Sequence, residues 1–258
     1  MNSYSTRYAS LSDEEVNELY QYELWKSLSN SERFEALQEL ENRTAFECGN
    51  HPCEIFLEEM NGAQYGYYYD GRIYINQSLV YNGEFHVEFD DGTNMSYTVL
   101  DSNSQLMDTI HHENYHAYQR EAIDGIDLHN NQGELELWKA NDENYTSEYP
   151  FYRIQSIEAT AFDRCELKTQ AAFELIEKKY GEDRGYQEYL SRICESGYDE
   201  ALCEAKELTG VDNIQQVYND ELLSLYADNQ MRDNIGNQFD ESMMIFDGGL
   251  YDDNFEKL

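Results

Sequence analysis

Apolar positions follow a helical rhythm over residues 1–50, a strand rhythm from about residue 54, and a helical rhythm again from about residue 102. In "SDEEVNELYQYELWKSL", Ser12 and Glu15 form a capping box, and Val16, Leu19, Tyr20 and Leu24 recur at helical intervals, which predicts one helix. "SERFEALQELENRTAFECG" repeats the arrangement with Ser29 and Glu32, carries Phe34, Leu37, Leu40 and Phe46, and meets a stop at Gly49. These two helices are expected to pack together.

The strand-like part contains "YGYYYDGRIYIN", divided by Asp70-Gly71, and "EFHVEFDDGTNMSYTVL", divided by Asp91-Gly92. Both dipeptides are turn formers between β-favouring runs, so two hairpins or a small antiparallel sheet are predicted. His86 alternates with Phe85 and Val87 and should face away from the apolar side. A helix then starts near Ser102, with Gln105 completing its cap and Leu106, Ile110 and Ala117 forming its apolar stripe. The loop "DGIDLHNNQGE" separates it from "ELWKANDENY". After Pro150 helices are expected at about 153–180, 184–195, 198–209 and 211–230, broken at Gly181, Gly197 and Gly210, with the tail "DGGLYDDNFEKL" loosely held. The chain shows no internal repeat. The pattern predicts one α+β domain over 1–258: a helical part at 1–50, a sheet at 54–100, helices at 101–165 that carry the chemistry, and a helical part at 166–258.

Composition narrows the partners. With 258 residues, 40% of them hydrophobic, the chain can bury a sizeable core. No stretch is apolar enough to span a bilayer and no basic-then-apolar leader opens the chain, so it is expected to be soluble as synthesised. Five cysteines without a paired framework point to reduced thiols and a cytoplasmic origin, with export by a route lacking a signal peptide still compatible. A formal charge of -36 repels nucleic-acid phosphate and anionic membranes, so neither is expected as a partner. The same charge suits a basic protein surface, and it is equally what a solubility trait would require.

The chemistry concentrates in "IHHENYHAYQ" (residues 110–119), which holds three of the six histidines. His112-Glu113-Asn114-Tyr115-His116 reads H-E-x-x-H. Four residues apart on a helix, the two imidazoles point the same way and can share one tetrahedral ion. Glu113 lies about a quarter turn away, close enough to reach a water at the metal without being a ligand. Zinc brings the pKa of such a water toward neutrality, and the carboxylate can move its proton to a leaving amine. The best third ligand is Glu158 in "YRIQSIEATAFDR"; no H-x-x-G-x-x-H continuation follows His116, which argues against the metzincin arrangement.

Other candidates carry less. His111 projects to the other side of His112 and reads as a packing or surface residue. Cys48, His51 and Cys53 lack the paired spacing of a structural zinc site. Cys165, two turns after Glu158, reads as a buried thiol near the site wall, and Asp163 as a solvated acid. An oxyanion donor is needed as well, and among 23 tyrosines Tyr145, Tyr149 and Tyr152 lie in the segment leading to Glu158. Neither a phosphate-binding glycine loop nor a basic cluster with interleaved aromatics is present.

The segments "SERFEALQELENRTAF", "YGYYYDGRIYINQSLV", "LMDTIHHENYHAYQREAI" and "WKANDENYTSEYPFYRIQSIEATAF" together resemble bacterial zincin-type metallopeptidase-like domains of the gluzincin pattern, some found alone and some within large polymorphic toxin-like proteins. The similarity spans about residues 29–165. It implies a zincin-like α+β fold with a small antiparallel sheet packed on the H-E-x-x-H helix. It further implies His112, His116 and Glu158 as zinc ligands and Glu113 as general base. It also implies "RIYIN" as the sheet edge along which an extended peptide would lie. Where such domains read E-x-D-A, this chain has Glu158-Ala159-Thr160-Ala161, with a threonine in place of the acid that supports a ligand histidine.

The expectation is therefore a zinc-dependent metallopeptidase acting on protein or peptide substrates, basic ones preferred by its acidic surface. The rival expectation is an acidic interaction or inhibitor protein, binding a basic partner or mimicking nucleic acid, in which the zinc site is structural or vestigial. Glu113 discriminates them, since a structural metal needs no free carboxylate beside it.

Overall fold

A computed structural model describes residues 4–243, apart from 63, 90–91, 127–128 and 196. Asp91 of the second turn and the tail from Asp247 lie outside the described residues. The coarse class is α+β, with mostly helical chain around two small sheets.

The first predicted helix is two. α1 (Asp13–Glu18) starts at the Ser12/Glu15 capping box, and α2 (Tyr22–Ser27) is capped by the Gln21 side chain. Between them the chain tightens into three-residue turns at Leu19, Tyr20 and Gln21. The cause lies far along the chain: the Asp183 carboxylate accepts the Tyr22 N–H at 2.6 Å, replacing a bond the continuous helix would have made. The break also lets Tyr20 and Trp25 stack in the core with centroids 5.0 Å apart. α3 (Asn30–Cys48) runs from its Ser29/Glu32 box to left-handed Gly49, as its sequence predicts.

β1 (Glu54–Glu58), β2 (Gly66–Tyr69) and β3 (Arg72–Asn76) form one sheet in the order β1-β3-β2. The Asp70-Gly71 hairpin joins β2 to β3 with both turn residues at positive φ. β1, however, pairs with β3 in parallel, so the sheet is mixed and the all-antiparallel expectation fails. "RIYIN" is β3, the central strand, and both its edges are used; the edge beside the next long helix is β2. The edge placement rested on the resemblance, and the parallel pairing of β1 overturns it. The unpredicted α4 (Gln77–Asn82) leads to the second hairpin, β4 (Glu84–Glu88) and β5 (Asn94–Thr98), where His86 is exposed as expected and bonds Ser96.

α5 (Ser102–Ile123) runs through the middle of the molecule. Its N-cap is Asp101, not Ser102, and it lacks a side-chain cap because the Asp101 carboxylate is paired with Arg192. Leu106, Met107 and Ile110 meet Leu37 and Leu40 of α3, Ile73 and Ile75 of β3, and Phe173 further on. The "ELWKANDENY" segment belongs to α6 (Gln132–Glu143), whose Trp138 packs with Tyr115, Ala122 and Ile157. α7 (Phe151–Ile154) and α8 (Ser156–Tyr180) replace one predicted helix, with extended Gln155 between them. The Gln155 side chain bonds Asn141 and the 146 backbone, which explains the break. α9 (Arg184–Glu195), α10 (Tyr198–Thr209) and α11 (Ile214–Met243) follow. Among the described residues no helix is long and apolar enough to cross a membrane.

Close packing of β2 on α5 depends on Gly66. A Cβ there would lie 2.7 Å from the Tyr74 carbonyl and 3.0 Å from Thr109 Cγ2, so only glycine brings the strand this near the helix.

Candidate metal centre

α5 is unusual in burying its polar residues on every side: Asp108, Thr109, His111, His112, Glu113, Asn114 and Gln119 are all buried. A buried polar group must find a partner or a ligand. On one flank these residues meet α8, and there the three predicted ligands come together. His112 Nε2 lies 3.3 Å from Glu158 Oε2, His116 Nε2 lies 3.4 Å from Glu158 Oε1, and the two Nε2 atoms are 2.9 Å apart. Among the described residues this is the one group of its kind found, with all ligand atoms within 4.8 Å of one another.

A small divalent cation fits this donor set. Two nitrogens sharing a tetrahedral zinc at about 2.0 Å sit roughly 3.3 Å apart, so a slight opening of the rings reaches that spacing. Glu158 is 2% exposed, and its Oε2 makes no close hydrogen bond, with His112 Nε2 standing 3.3 Å away. Burial works against the ionised carboxylate, but the imidazoles of His116 and His112 outweigh it and hold its pKa well below the usual range. For His116, burial favours the neutral ring, but Glu158 and, more weakly, Glu113 and Gln119 overcome this and raise its pKa to about 9.

The two imidazoles are braced from behind. His116 Nδ1 is 2.8 Å from Gln119 Oε1, and Gln119 Nε2 bonds the Ile157 carbonyl and Thr160 Oγ1. Thr160 thus takes part in the support. Cys165 Sγ lies 3.8 Å from His112 Nδ1, and Phe162 packs on the His112 ring at 4.4 Å. Asp108, one turn before His112, accepts from Tyr189 at 2.7 Å and from Thr169 at 3.2 Å.

Glu113 opens on the same cavity, of about 560 Å³, as the ligand set. It is not one of the converging ligands. Burial raises its pKa, while His112, His116 and a backbone hydrogen bond from Tyr68 of β2 act the other way. Two of the three tyrosines stand at this cavity. Tyr145 donates its hydroxyl to Glu158 Oε1 at 2.9 Å, with its ring 6.3 Å from that of Tyr152, and both line the cavity. Burial and the Glu158 charge raise both phenol pKa values, so both stay protonated donors. Tyr149 is half exposed and does not line the cavity.

The remaining candidates fall elsewhere. His111 is buried against Thr44 on the opposite flank of α5, 3.0 Å from its hydroxyl. His51 pairs with Glu121 at 3.0 Å, Cys53 is buried, and neither joins a metal group. Asp163 is exposed and Cys165 fully buried, as their spacing suggests. Gln119, Asp108 and Tyr68 escaped the sequence reading. Gln119 follows His116 by one helical turn and was legible as its neighbour, whereas Tyr68 is joined to Glu113 only by tertiary packing.

No family model, curated protein or solved structure matches this chain.

Proposed function

We propose that this protein is a zinc-dependent peptide hydrolase with a zincin-like centre, in which His112, His116 and Glu158 hold the ion and Glu113 is the general base. The observation that carries the reading is Glu113: a second buried glutamate, outside the ligand set but opening on the same cavity, with its pKa raised. Zinc held there would supply Lewis acidity to a water and to the scissile carbonyl. Glu113 takes the proton of the attacking water and passes it to the leaving amine, a task suited to a carboxylate more basic than one at the surface. The Tyr145 hydroxyl, 49% exposed for the residue and held on Glu158, can turn to donate to the oxygen that gains charge. A peptide substrate is supported by β2. Its outer edge carries no strand among the described residues, and Gly66, Tyr67 and Tyr68 line the cavity, so an extended chain can bond to its backbone.

Metal content and hydrolysis of a broad peptide library test the reading on the wild type and Glu113→Gln. Both should bind zinc one to one, and the substitution should lower cleavage by about 10²–10⁴-fold. If both proteins bind zinc and neither cleaves, the centre is structural and the acidic interaction protein is the better description.

A further inference from the structure

The bonds behind His116 have directions that can be deduced. A peptide carbonyl only accepts, so the Ile157 oxygen, 2.9 Å from Gln119 Nε2, requires a donor there. The Thr160 hydroxyl directs its single proton to the Ser156 carbonyl at 2.7 Å, which leaves its oxygen to accept from Gln119 at 2.9 Å. Both partners therefore call for the NH₂ end of the amide, and its carbonyl oxygen must face the imidazole 2.8 Å away. Nδ1 faces an acceptor at 2.8 Å, whereas Glu158 Oε1 stands 3.4 Å from Nε2, beyond a normal hydrogen-bond length, so in the neutral ring Nδ1 carries the hydrogen and Nε2 keeps its lone pair. Nε2 is the atom directed at Glu158 and His112. Gln119 is 1% exposed, so water does not compete for these bonds.

We propose that Gln119, oriented by Ile157 and Thr160, is a positioning residue that locks His116 in the Nδ1–H tautomer and presents Nε2 to a metal ion. The purpose of the device rests on the zinc reading; the tautomer itself does not. Thr160 thereby helps to set the direction of the amide. It orients a neutral amide, which fixes the ring as a carboxylate would but polarises it less, leaving the imidazole a weaker donor to the cation.

Two readouts test this. The first needs no metal: ¹⁵N–¹H correlation spectra of the imidazoles in the metal-free protein, with pH raised until His116 is neutral. The wild type and Gln119→Glu should show Nδ1 protonated, and Gln119→Leu should revert toward Nε2–H. The second is zinc affinity by competition with a chromophoric chelator. Gln119→Leu should weaken it about 10–100-fold, and Gln119→Glu should hold or tighten it. An Nε2–H ring in the wild type overturns the proposal. So does a Gln119→Leu variant with both tautomer and affinity unchanged. Should that variant fail to fold, the wild-type and Gln119→Glu spectra still decide. A wild type that binds no zinc would defeat the proposed function, while the tautomer would still be judged by the first readout.

Discussion

Each flank of α5 faces a buried glutamate, and the two are held in opposite ways. On the α8 side Glu158 meets two imidazoles, 3.3 and 3.4 Å from its two oxygens, and its pKa is driven down. On the α3 side Glu41 is fully buried but meets only neutral groups. Its Oε1 accepts from the Cys53 N–H at 2.7 Å and from Asn114 Nδ2 at 2.9 Å, and Oε2 accepts from Gln38 at 3.4 Å. Burial dominates there and raises its pKa to about 8 despite those bonds. Glu41 and Gln38 together complete the backbone where β1 begins, with Gln38 also bonding the Cys53 carbonyl and the Ile55 N–H. One flank is a hydrogen-bond network that holds a strand against a helix, with Asn114 Oδ1 left without a partner. The other leaves charge and lone pairs converging on a cavity. Burial of polar groups alone does not mark a functional site; convergence of two imidazoles and a carboxylate beside a cavity does.

The contrast can be broken from either side. The largest effect is expected at Glu158→Gln, which should weaken zinc binding by more than the roughly 100-fold that a lost outer partner costs. Glu41→Gln should leave zinc binding unchanged, as chelator competition on both variants would show. Next comes stability. Glu41→Ala deprives the buried Cys53 N–H and the Asn114 amide of their acceptor, at about 1–3 kcal/mol for each unsatisfied group, measurable by urea unfolding. pH sharpens the comparison further. A carboxyl whose pKa is raised from 4.5 to about 8 binds its proton more tightly when folded, so its contribution to stability falls as pH rises between those values. His111 has the opposite sign: burial lowers its pKa from 6.5 to about 3, so stability is lost as pH falls through that window. The two oppose each other below pH 6.5, and above it Glu41 acts without His111. Relative to Glu41→Gln, the wild type should therefore lose up to about 1.4 kcal/mol per pH unit between the two values. The smallest effect is expected at Gly66→Ala, which should cost about 1–3 kcal/mol by pushing β2 off α5. Because β2 borders the cavity, peptide cleavage should fall while zinc affinity holds.

Much of this contrast was legible from local signals. H-E-x-x-H places two candidate ligands by helical geometry alone, and Glu158 was reachable as a carboxylate in a later helix. The boxes at Ser12 and Ser29 and the Asp70-Gly71 turn are equally local, and all formed. What escaped depends on partners distant in sequence. Asp183 breaks the first helix, Arg192 takes the Asp101 carboxylate from its cap, and β1 enters beside β3 in parallel. Glu41 gave no signal, since a glutamate in the polar-looking stretch "LQELENR" reads as solvated until β1 covers it.

Asp183 ties together segments that synthesis separates by most of the chain. Its two oxygens accept the amide protons of Tyr22 and Tyr186, and Asn103 at the head of α5 bonds to the same carboxylate. Because one side chain caps the starts of α2 and α9 and also holds a side chain of α5, loosening any of them strips protection from the others. The early helices, the start of α5 and α9 should then open as one cooperative block in hydrogen exchange, and a nascent chain cannot complete that block until residue 186 has emerged.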